Sequence, residues 1–457
     1  MKINRSKRNI DFSKGPVWRN IVAQALPLTL AQFVHLLYNV VDRIYIGHMG
    51  GDSLALTGVG LTFPVITLIM AFTALFGNGG VPLFSMARGA GKDDEGRKIQ
   101  GNSLALLLLS AVILMVFGYV FRRPILFAFG ASEESYIYAE EYLNIYLTGT
   151  VFVMITTGMN GYINAQGFPR IGMISVILGA AINIVLDPIF IFLMNMGVSG
   201  AALATVLSQA LSALWVLRFL FGKDAIIAFS WKDVRIDRSI AGKIARLGTS
   251  NFIMQGTTCV VQIACNATLQ QHGGDMYVGI MTVVNSIREV FMLPVSGIVG
   301  GAQPVISYNY GAKNYIRTKQ GIRFNTIVGA VYTLAAWLLV HLFPKLWIGI
   351  FSDDPELLNT GTDLLRIYFF GFVFMALQFA GQAAFQSLGD AKHAIFFSLL
   401  RKIIIVLPLT LLLPLVGLGV KGVFLAEPIS NVIGGTACYL TMRYTILKRL
   451  DKLATDG

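Results

Sequence analysis

The chain has 457 residues, of which 55% are hydrophobic and 13% charged, and its mean hydropathy is +0.66. A soluble domain carries about 25% charged residues because its surface faces water, so this composition excludes an ordinary soluble domain. Apolar runs such as 99–121 and 172–194 are long enough for a helix to cross about 30 Å of hydrocarbon. The strands of an outer-membrane barrel would instead alternate apolar and polar residues over about ten positions, and this pattern excludes that class too.

The net charge of +12 would suggest nucleic acid binding in a soluble protein. Here the basic residues fall in short clusters between apolar runs, as membrane topology requires, so we expect no nucleic acid partner. The three cysteines form no spaced pair and no His-x-x-x-His occurs, so neither a disulfide framework nor a structural metal site is expected. No signal-peptide cleavage site precedes the first apolar run, which we expect to stay in the mature chain.

In chain order, the apolar runs predict twelve membrane-spanning helices, at about 17–47, 54–84, 99–121, 139–165, 172–194, 199–221, 243–271, 276–304, 320–343, 357–388, 392–416 and 420–444. Most of the 36 basic residues fall in the segments on one side of these spans. This count assigns Arg43, Arg288 and Arg366 to the spans and assigns the remaining basic residues to the segments that connect or flank them. The positive-inside rule then predicts a multi-pass protein of the inner (plasma) membrane with both termini in the cytoplasm.

The sequence also contains an internal repeat with an offset of about 222 residues. This offset superposes Gly79 on Gly301 and Pro82 on Pro304. Further glycine matches occur at the same offset in other segments, which chance does not readily produce. The chain therefore reads as two six-span halves.

The repeat predicts an N-terminal lobe at 1–222 and a C-terminal lobe at 223–457, joined by a basic cytoplasmic linker at about 222–243. Because six is an even number, both halves enter the membrane from the same side and are parallel repeats. The expected fold is an all-α polytopic membrane protein, with twelve transmembrane helices in two parallel six-helix bundles around a central cavity. Such a fold favours a transporter, although fold alone does not fix function.

Ionisable side chains inside spans mark function because each costs about 2.5–3.5 kcal/mol on insertion scales. Asp42 in span 1 and Asp187 in span 5 are the clearest, at depths of about 8 and 12 Å below the outer ends of their helices. By the same count Thr205 lies about 9 Å down span 6, and Tyr142 and Tyr146 lie about 5 and 10 Å down span 4. Asn183 lies on the same face of span 5 as Asp187, one turn deeper.

Two carboxyl groups in one pocket of low dielectric do not easily both ionise, so one should hold a proton or the two should share a cation such as Na⁺. Pro188 lacks a backbone donor beside Asp187 and permits a kink there. Two structural alternatives stay open: Asp42 pairs with Arg43 near the outer interface, or Asp187 is hydrogen-bonded within a static bundle.

A possible secondary ionisable site comprises Arg288 and Glu289 in span 8 and Glu427 in span 12. Arg288 and Glu289 are adjacent and would serve a gate or an internal salt bridge. Glu427 is the repeat partner of Thr205. It would be either a second protonation site or a paired residue near the outer mouth.

The sequence contains no phosphate-cradling G-x-x-x-x-G-K-[ST] motif and no nucleophile elbow. We therefore expect no enzyme activity and no cofactor. Energy would come from an ion gradient, with H⁺ or Na⁺ as the coupling ion.

Four segments together resemble the multidrug and toxic compound extrusion (MATE) family: Tyr38 to Gly47, Asn183 to Pro188, Ala87 to Ala90 and Tyr308 to Ala312. The resemblance covers nearly the whole chain, and the segment in span 5 is its most specific part. It implies efflux of organic, often cationic and amphipathic compounds such as drugs or toxins, driven by inward flow of protons or sodium ions. We expect the protein to act in the lipid bilayer as a monomer.

The resemblance further implies which residues form the sites. A cation or proton site in the N-terminal lobe would comprise Asp42, Asn183, Asp187 and Thr205, with Tyr142 as a neighbour. The substrate cavity would include Tyr38, Tyr146 and Asn160.

One departure from the family is informative. The branch typified by NorM has a carboxylate in span 7, where this sequence offers Gln255 and no Asp or Glu. Coupling through the C-terminal half is therefore disfavoured, and the arrangement resembles the DinF-like or MepA-like branch.

Two other functions stay open at this point. The first is a flippase for a lipid-linked oligosaccharide or precursor, from the same superfamily, whose cavity would be strongly cationic. The acidic residues in the spans of the N-terminal half disfavour such an anionic cargo. The second is a passive channel or receptor, which would not concentrate a substrate against its gradient.

Overall fold

The computed structural model describes residues 9–47, 53–351 and 355–455, and this part of the chain is helical with short connections. Its α-helices are α1 (Val17–Gly47), α2 (Ser53–Leu61), α3 (Phe63–Thr73), α4 (Val81–Gly89), α5 (Asp93–Ala128), α6 (Glu133–Thr148), α7 (Thr150–Ala165), α8 (Pro169–Pro188), α9 (Gly197–Leu220), α10 (Arg238–Gly273), α11 (Asp275–Gly311), α12 (Tyr315–Leu342), α13 (Pro344–Gly349), α14 (Pro355–Phe369), α15 (Met375–Ser387), α16 (Ala391–Leu399), α17 (Leu407–Leu412), α18 (Gly419–Met442) and α19 (Lys448–Thr455). Short π-helical segments join several of them, at Ala74–Asn78, Ile189–Leu193, Leu400–Val406, Pro414–Leu418 and Arg443–Leu447. Two 3₁₀ turns lie at Trp231–Asp233 and Phe372–Phe374.

The described helices confirm an all-α polytopic membrane protein. Ten helical segments are long and apolar enough to cross a membrane, or eleven when the bent pair α6 and α7 is one span. These segments correspond to eleven of the twelve predicted spans. The remaining one, at 243–271, lies in α10, whose 36 residues reach about 54 Å. That helix is long enough to cross but is not among the ten.

Some helices are longer than the apolar runs that predict them. The predicted span 99–121 lies inside α5, which begins with Asp93, Asp94 and Glu95 in its first turn. These carboxylates interact favourably with the unpaired N–H groups at a helix N-terminus. The helix therefore continues into polar sequence, where a hydropathy criterion ends the span too early.

The chain forms two compact units. The N-terminal unit comprises Leu26–Phe252 with the segment up to Phe12, and the C-terminal unit comprises Ser13–Ala25 with the chain from Ile253. Helices α1 and α10 contribute residues to both units. The predicted lobe boundary at 222/223 stays a prediction.

The core of the N-terminal unit is centred on α7. Met154, Met159 and Tyr162 of this helix are fully buried. The Tyr162 hydroxyl is 2.5 Å from the Ser103 Oγ of α5, so the one polar group of this large side chain has a partner. Helix α7 is thereby fixed against α5, and α8 and α9 pack on its other faces.

The core of the C-terminal unit includes several large aromatic side chains. Phe369 of α14, Phe385 of α15 and Phe424 of α18 are fully buried. The ring of Phe369 meets Phe291 of α11 edge to face, with centroids 6.1 Å apart. This contact joins α14 to α11.

Two contacts recur in both units at an offset of 222 residues. In the N-terminal unit α6 and α7 meet at Gly149 with a bend of 56°, and Gly149 packs against Val206 of α9. In the C-terminal unit Gly371, between α14 and α15, packs against Pro428 of α18. A Cβ at Gly371 would lie 2.5 Å from the Pro428 carbonyl oxygen, so only glycine allows this approach.

The second recurring contact is a hydrogen bond from a side-chain amide to a backbone carbonyl of the neighbouring helix. Asn160 Nδ2 donates to the Gly172 carbonyl at 3.0 Å, joining α7 to α8. Gln382 Nε2 donates to the Ala394 carbonyl at 2.9 Å, joining α15 to α16. The sequence repeat therefore has a counterpart in side-chain contacts within each unit.

Candidate functional site

The candidate ion site lies in the N-terminal unit and is built on the C-terminal end of α8. Asp187 is fully buried there and Asn183, one helical turn earlier, is 1% exposed. Asn183 Nδ2 donates to Asp187 Oδ1 at 3.1 Å. The helix ends at Pro188, which has no N–H, and a π-helical segment follows at Ile189–Leu193. The local α-helical hydrogen bonding is therefore interrupted directly beside the buried carboxyl group.

The second carboxyl group comes from α1. Asp42 is half-buried and its carboxyl faces that of Asp187 closely enough for a side-chain hydrogen bond when one of the two is protonated. Two carboxylates within hydrogen-bonding reach of each other repel strongly in a low dielectric. The pair is therefore suited to hold one shared proton or a small cation. The alternative partner of Asp42, the side chain of Arg43, lies outside the described residues.

Hydroxyl groups surround the carboxyl pair. Thr205 Oγ1 of α9 lies 3.5 Å from Asn183 Nδ2, and its side chain interacts with the Tyr142 hydroxyl of α6. Tyr142 also interacts electrostatically with Asp42, and Tyr38 interacts with both carboxyl groups.

The aromatic wall of the site is a stacked pair. The rings of Tyr142 and Tyr146 lie 5.9 Å apart and are inclined by 17°, and both side chains are 4% exposed. The structure thus brings together in one cluster the residues that the sequence assigned to the ion site, and with them Tyr38 and Tyr146. We call this set the carboxyl cluster: Tyr38, Asp42, Tyr142, Tyr146, Asn183, Asp187 and Thr205.

Asn160 lies elsewhere. Its side chain donates to the Gly172 carbonyl and, at 2.7 Å, to Ser175 Oγ. Ser175 precedes Asp187 by twelve residues on α8, which is about 18 Å along the helix. The observed contacts give Asn160 a role in joining helices, and its assignment to a substrate cavity stays a prediction.

The C-terminal unit contains a second buried ionic cluster. Glu427 of α18 is 5% exposed and accepts from Lys402 Nζ at 3.0 Å on both of its carboxylate oxygens. Arg401 Nη2 donates to the same carboxylate at 3.4 Å, and Arg288 of α11 interacts with it electrostatically. Of the two interpretations of Glu427 from the sequence, the structure therefore favours a paired residue. Glu289 is exposed, so the predicted secondary site divides: Arg288 and Glu427 belong together and Glu289 does not.

Sequence reasoning missed Arg401 and Lys402. The charge count assigned both to the inner face, and this assignment is wrong. They lie in the π-helical segment Leu400–Val406, inside the predicted span 392–416, and are 8% and 7% exposed. The signal that would have found them is their position between two apolar runs of that span.

Comparison with known proteins places these clusters in a family context. A family model described as MatE matches residues 27–189 and 252–412, which together make up more than half of the chain. The chain is 25% identical over 447 residues to a protein of Staphylococcus haemolyticus named multidrug export protein MepA, covering 97% of this chain and 96% of that one. It is 24% identical to a protein of the same name from Staphylococcus aureus, covering 97% of each chain.

A solved structure is similar over its whole length. It is described as the outward-facing conformation of a multidrug resistance MATE family transporter of the MOP superfamily. The TM-score is 0.88 and the sequence identity 25%, and the match covers 97% of this chain and 98% of that one.

Proposed function

The chain belongs to the MatE family, a family of membrane transporters, and on this premise we propose that it is a secondary active multidrug antiporter. It exports organic, often cationic and amphipathic compounds in exchange for protons or sodium ions. The named relatives support the export of drugs, since they are multidrug export proteins.

The coupling proposal rests on one observation: the carboxyl groups of Asp42 and Asp187 interact with each other in the carboxyl cluster. A buried pair of acids changes its net charge when it binds one proton or one sodium ion. The surrounding amide and hydroxyl groups supply both donors and acceptors, which either ion requires. In a medium of low dielectric, this change of charge alters the packing preference of the helices that hold it.

The proposed mechanism uses this charge change to select a conformation. Ion binding favours the state of α1 and α8 that releases drug, and drug binding favours the other state. The two ligands need no shared contact, because coupling is a difference between affinities for two states. The interruption of α8 at Pro188 supplies a place where this helix bends.

The remaining parts of the proposal follow from sequence. The protein lies in the inner membrane with both termini in the cytoplasm, because basic residues concentrate on that side. It acts as a monomer on small-molecule drugs or toxins, and it takes no cofactor other than H⁺ or Na⁺.

Transport in proteoliposomes tests the proposal. Purified full-length protein is reconstituted, and ethidium movement is followed while a proton gradient and a sodium gradient are imposed separately. We expect one gradient to drive ethidium against its own gradient in the wild type. The variants Asp42→Asn and Asp187→Asn should lose this ion-driven transport.

A matched control is Asp224→Asn, which makes the same chemical change at an exposed position of the N-terminal unit. It should transport as the wild type does. Full activity of both carboxyl-cluster variants, with unchanged ion dependence, would remove the carboxyl pair from the mechanism. Movement of ethidium only down its own gradient would favour a passive channel.

A further inference from the structure

The C-terminal unit contains a cavity that the proposed coupling mechanism does not use. Residues of helices α10, α11, α14 and α18 and of the π-helical segment Leu400–Val406 line it. Its volume is about 30 Å³, and its polar lining includes Gln262, Asn285, Arg288, Tyr368, Lys402 and Glu427. A volume of this size admits a carboxyl group or about two water molecules but not a drug-sized molecule. We call it the cationic cavity.

The charges around the cationic cavity do not balance. Arg288, Arg401 and Lys402 bring three positive charges, and the one carboxylate among them is Glu427. Glu427 already accepts from Lys402 on both oxygens and from Arg401 on one. Glu289, which also interacts with Arg288, is exposed to solvent or lipid. The buried cluster therefore carries an excess of about two positive charges.

Arg288 supplies an unused donor in the wall of this cavity. Its side chain interacts electrostatically with Tyr368, but its Nε atom is buried and has no hydrogen-bond partner among the residues that the structure describes. A buried donor without a partner destabilises the folded state, and more so when it belongs to a charged group. An anion in the cavity would both accept from this donor and reduce the excess charge.

The internal repeat relates two residues that line this cavity to two residues of the carboxyl cluster. Tyr368 lies 222 residues after Tyr146, and Glu427 lies 222 residues after Thr205. Tyr146 and Thr205 belong to the carboxyl cluster. The cationic cavity is therefore the C-terminal counterpart of the proposed ion site, with the sign of its charge reversed.

We propose that the cationic cavity is an anion site that receives the carboxylate group of an organic cargo. A guanidinium group and a carboxylate match in shape and form short, charge-assisted hydrogen bonds, which suits Arg288 to this ligand. The cargo class then includes zwitterionic amphipathic compounds in addition to cations. This use in transport rests on the proposed export function, whereas binding of the anion does not.

Binding to the purified full-length protein in nanodiscs is the first test. Benzoate and benzamide have nearly the same shape, but only benzoate carries a charge, and saturation-transfer NMR reports the binding of each. We expect benzoate to bind and benzamide not to bind. Arg288→Gln should weaken benzoate binding by about tenfold or more, Arg288→Lys should restore part of it, and Arg366→Gln, at an exposed arginine of the same unit, should leave it unchanged.

Each outcome decides between the proposal and an alternative. Equal binding of benzoate and benzamide, or unchanged benzoate binding in Arg288→Gln, would overturn the anion site and leave the cluster as a structural ion pair. Chloride that displaces benzoate at concentrations below that of benzoate itself would assign the site to an inorganic anion and overturn the assignment to cargo. Size-exclusion profiles of all variants show whether a loss of binding comes from misfolding, in which case Arg288→Lys supplies the deciding measurement.

Transport of a matched dye pair is the second test. A zwitterionic rhodamine and its methyl ester differ only in the carboxylate. We expect Arg288→Gln to reduce efflux of the zwitterion by about tenfold while efflux of the cationic ester continues. Equal loss of both dyes would overturn the role in cargo selection. If the wild type exports neither dye, the proposed function fails, and the benzoate measurement still decides whether the anion site exists.

Discussion

Asn183 Nδ2 donates to Asp187 Oδ1 at 3.1 Å, and the two side chains lie one turn apart on α8. This geometry fixes one oxygen of the buried carboxyl group through a neighbour on its own helix. Asp42 faces the same carboxyl group from α1. The orientation of Asp187 is therefore set within α8, while its electrostatic state depends on α1.

Replacing Asn183 by leucine tests this orientation. Asn183→Leu keeps a similar volume but removes the donor, and a hydrogen bond to a charged group contributes about 1.5–3 kcal/mol. We expect ion-driven ethidium transport in proteoliposomes to fall by about tenfold or more. Asn359→Leu, at an exposed asparagine of the C-terminal unit, is the control and should transport normally. Normal transport by Asn183→Leu would show that this hydrogen bond has no part in coupling.

The stacked pair Tyr142 and Tyr146 allows two hydroxyl groups to be compared at constant ring packing. Tyr142→Phe removes the hydroxyl that interacts with Thr205 but keeps the stacked ring. A polar interaction of a buried hydroxyl contributes about 1 kcal/mol, so we expect roughly a fivefold lower transport rate with little change in melting temperature. Tyr146→Phe makes the same change on the neighbouring ring and should have the smaller effect. Equal rates for both variants would remove the Tyr142 hydroxyl from the site.

The ion cluster of the C-terminal unit should be sensitive to loss of its one carboxylate. Glu427→Gln leaves Lys402 and Arg401 buried without a charged partner, and breaking a buried pair in this way costs about 3–5 kcal/mol. We expect a clearly lower melting temperature for the purified variant. The double variant Glu427→Gln with Lys402→Met removes one stranded charge and should regain part of the loss.

Glu289→Gln supplies the contrast for that measurement. Glu289 is exposed on α11, so its replacement should change the melting temperature by little. Surface substitutions usually alter the free energy of unfolding by less than about 0.5 kcal/mol. Equal destabilisation by Glu289→Gln and Glu427→Gln would contradict the division of the secondary site.

The carboxyl cluster could be predicted from sequence because few physical quantities determine it. An aspartate inside an apolar run is costly and therefore conspicuous. The helical rise then converts distances along the chain into depths, which brought Asp42, Asp187 and Thr205 to one level. The sequence does not show that the carboxyl groups of Asp42 and Asp187 face each other, because the rotation of α1 about its axis depends on packing.

The cationic cluster was harder to predict for a different reason. Arg401 and Lys402 follow the inner end of a predicted span by only a few turns, and a charge count cannot separate a helix end from a helix interior. Their burial depends on Glu427, which lies 25 residues after Lys402 on another helix. Pairing between distant residues leaves no trace in local hydropathy, so only the packing of α18 on this segment reveals it.

The repeat-related residues Gly149 and Gly371 differ in the atoms that an added Cβ would contact. A Cβ at Gly371 would meet backbone, with the Pro428 carbonyl oxygen at 2.5 Å and Cα at 2.8 Å. A Cβ at Gly149 would meet the Val206 side chain instead, which relieves a clash by rotating or shifting slightly. Overpacking costs about 1–3 kcal/mol, and we expect Gly371→Ala to lie at the upper end of this range and Gly149→Ala at the lower end. Thermal unfolding of the two purified variants measures the difference, and a Gly149→Ala variant that is the less stable of the two would show that the bend between α6 and α7 tolerates less than the contact with Pro428.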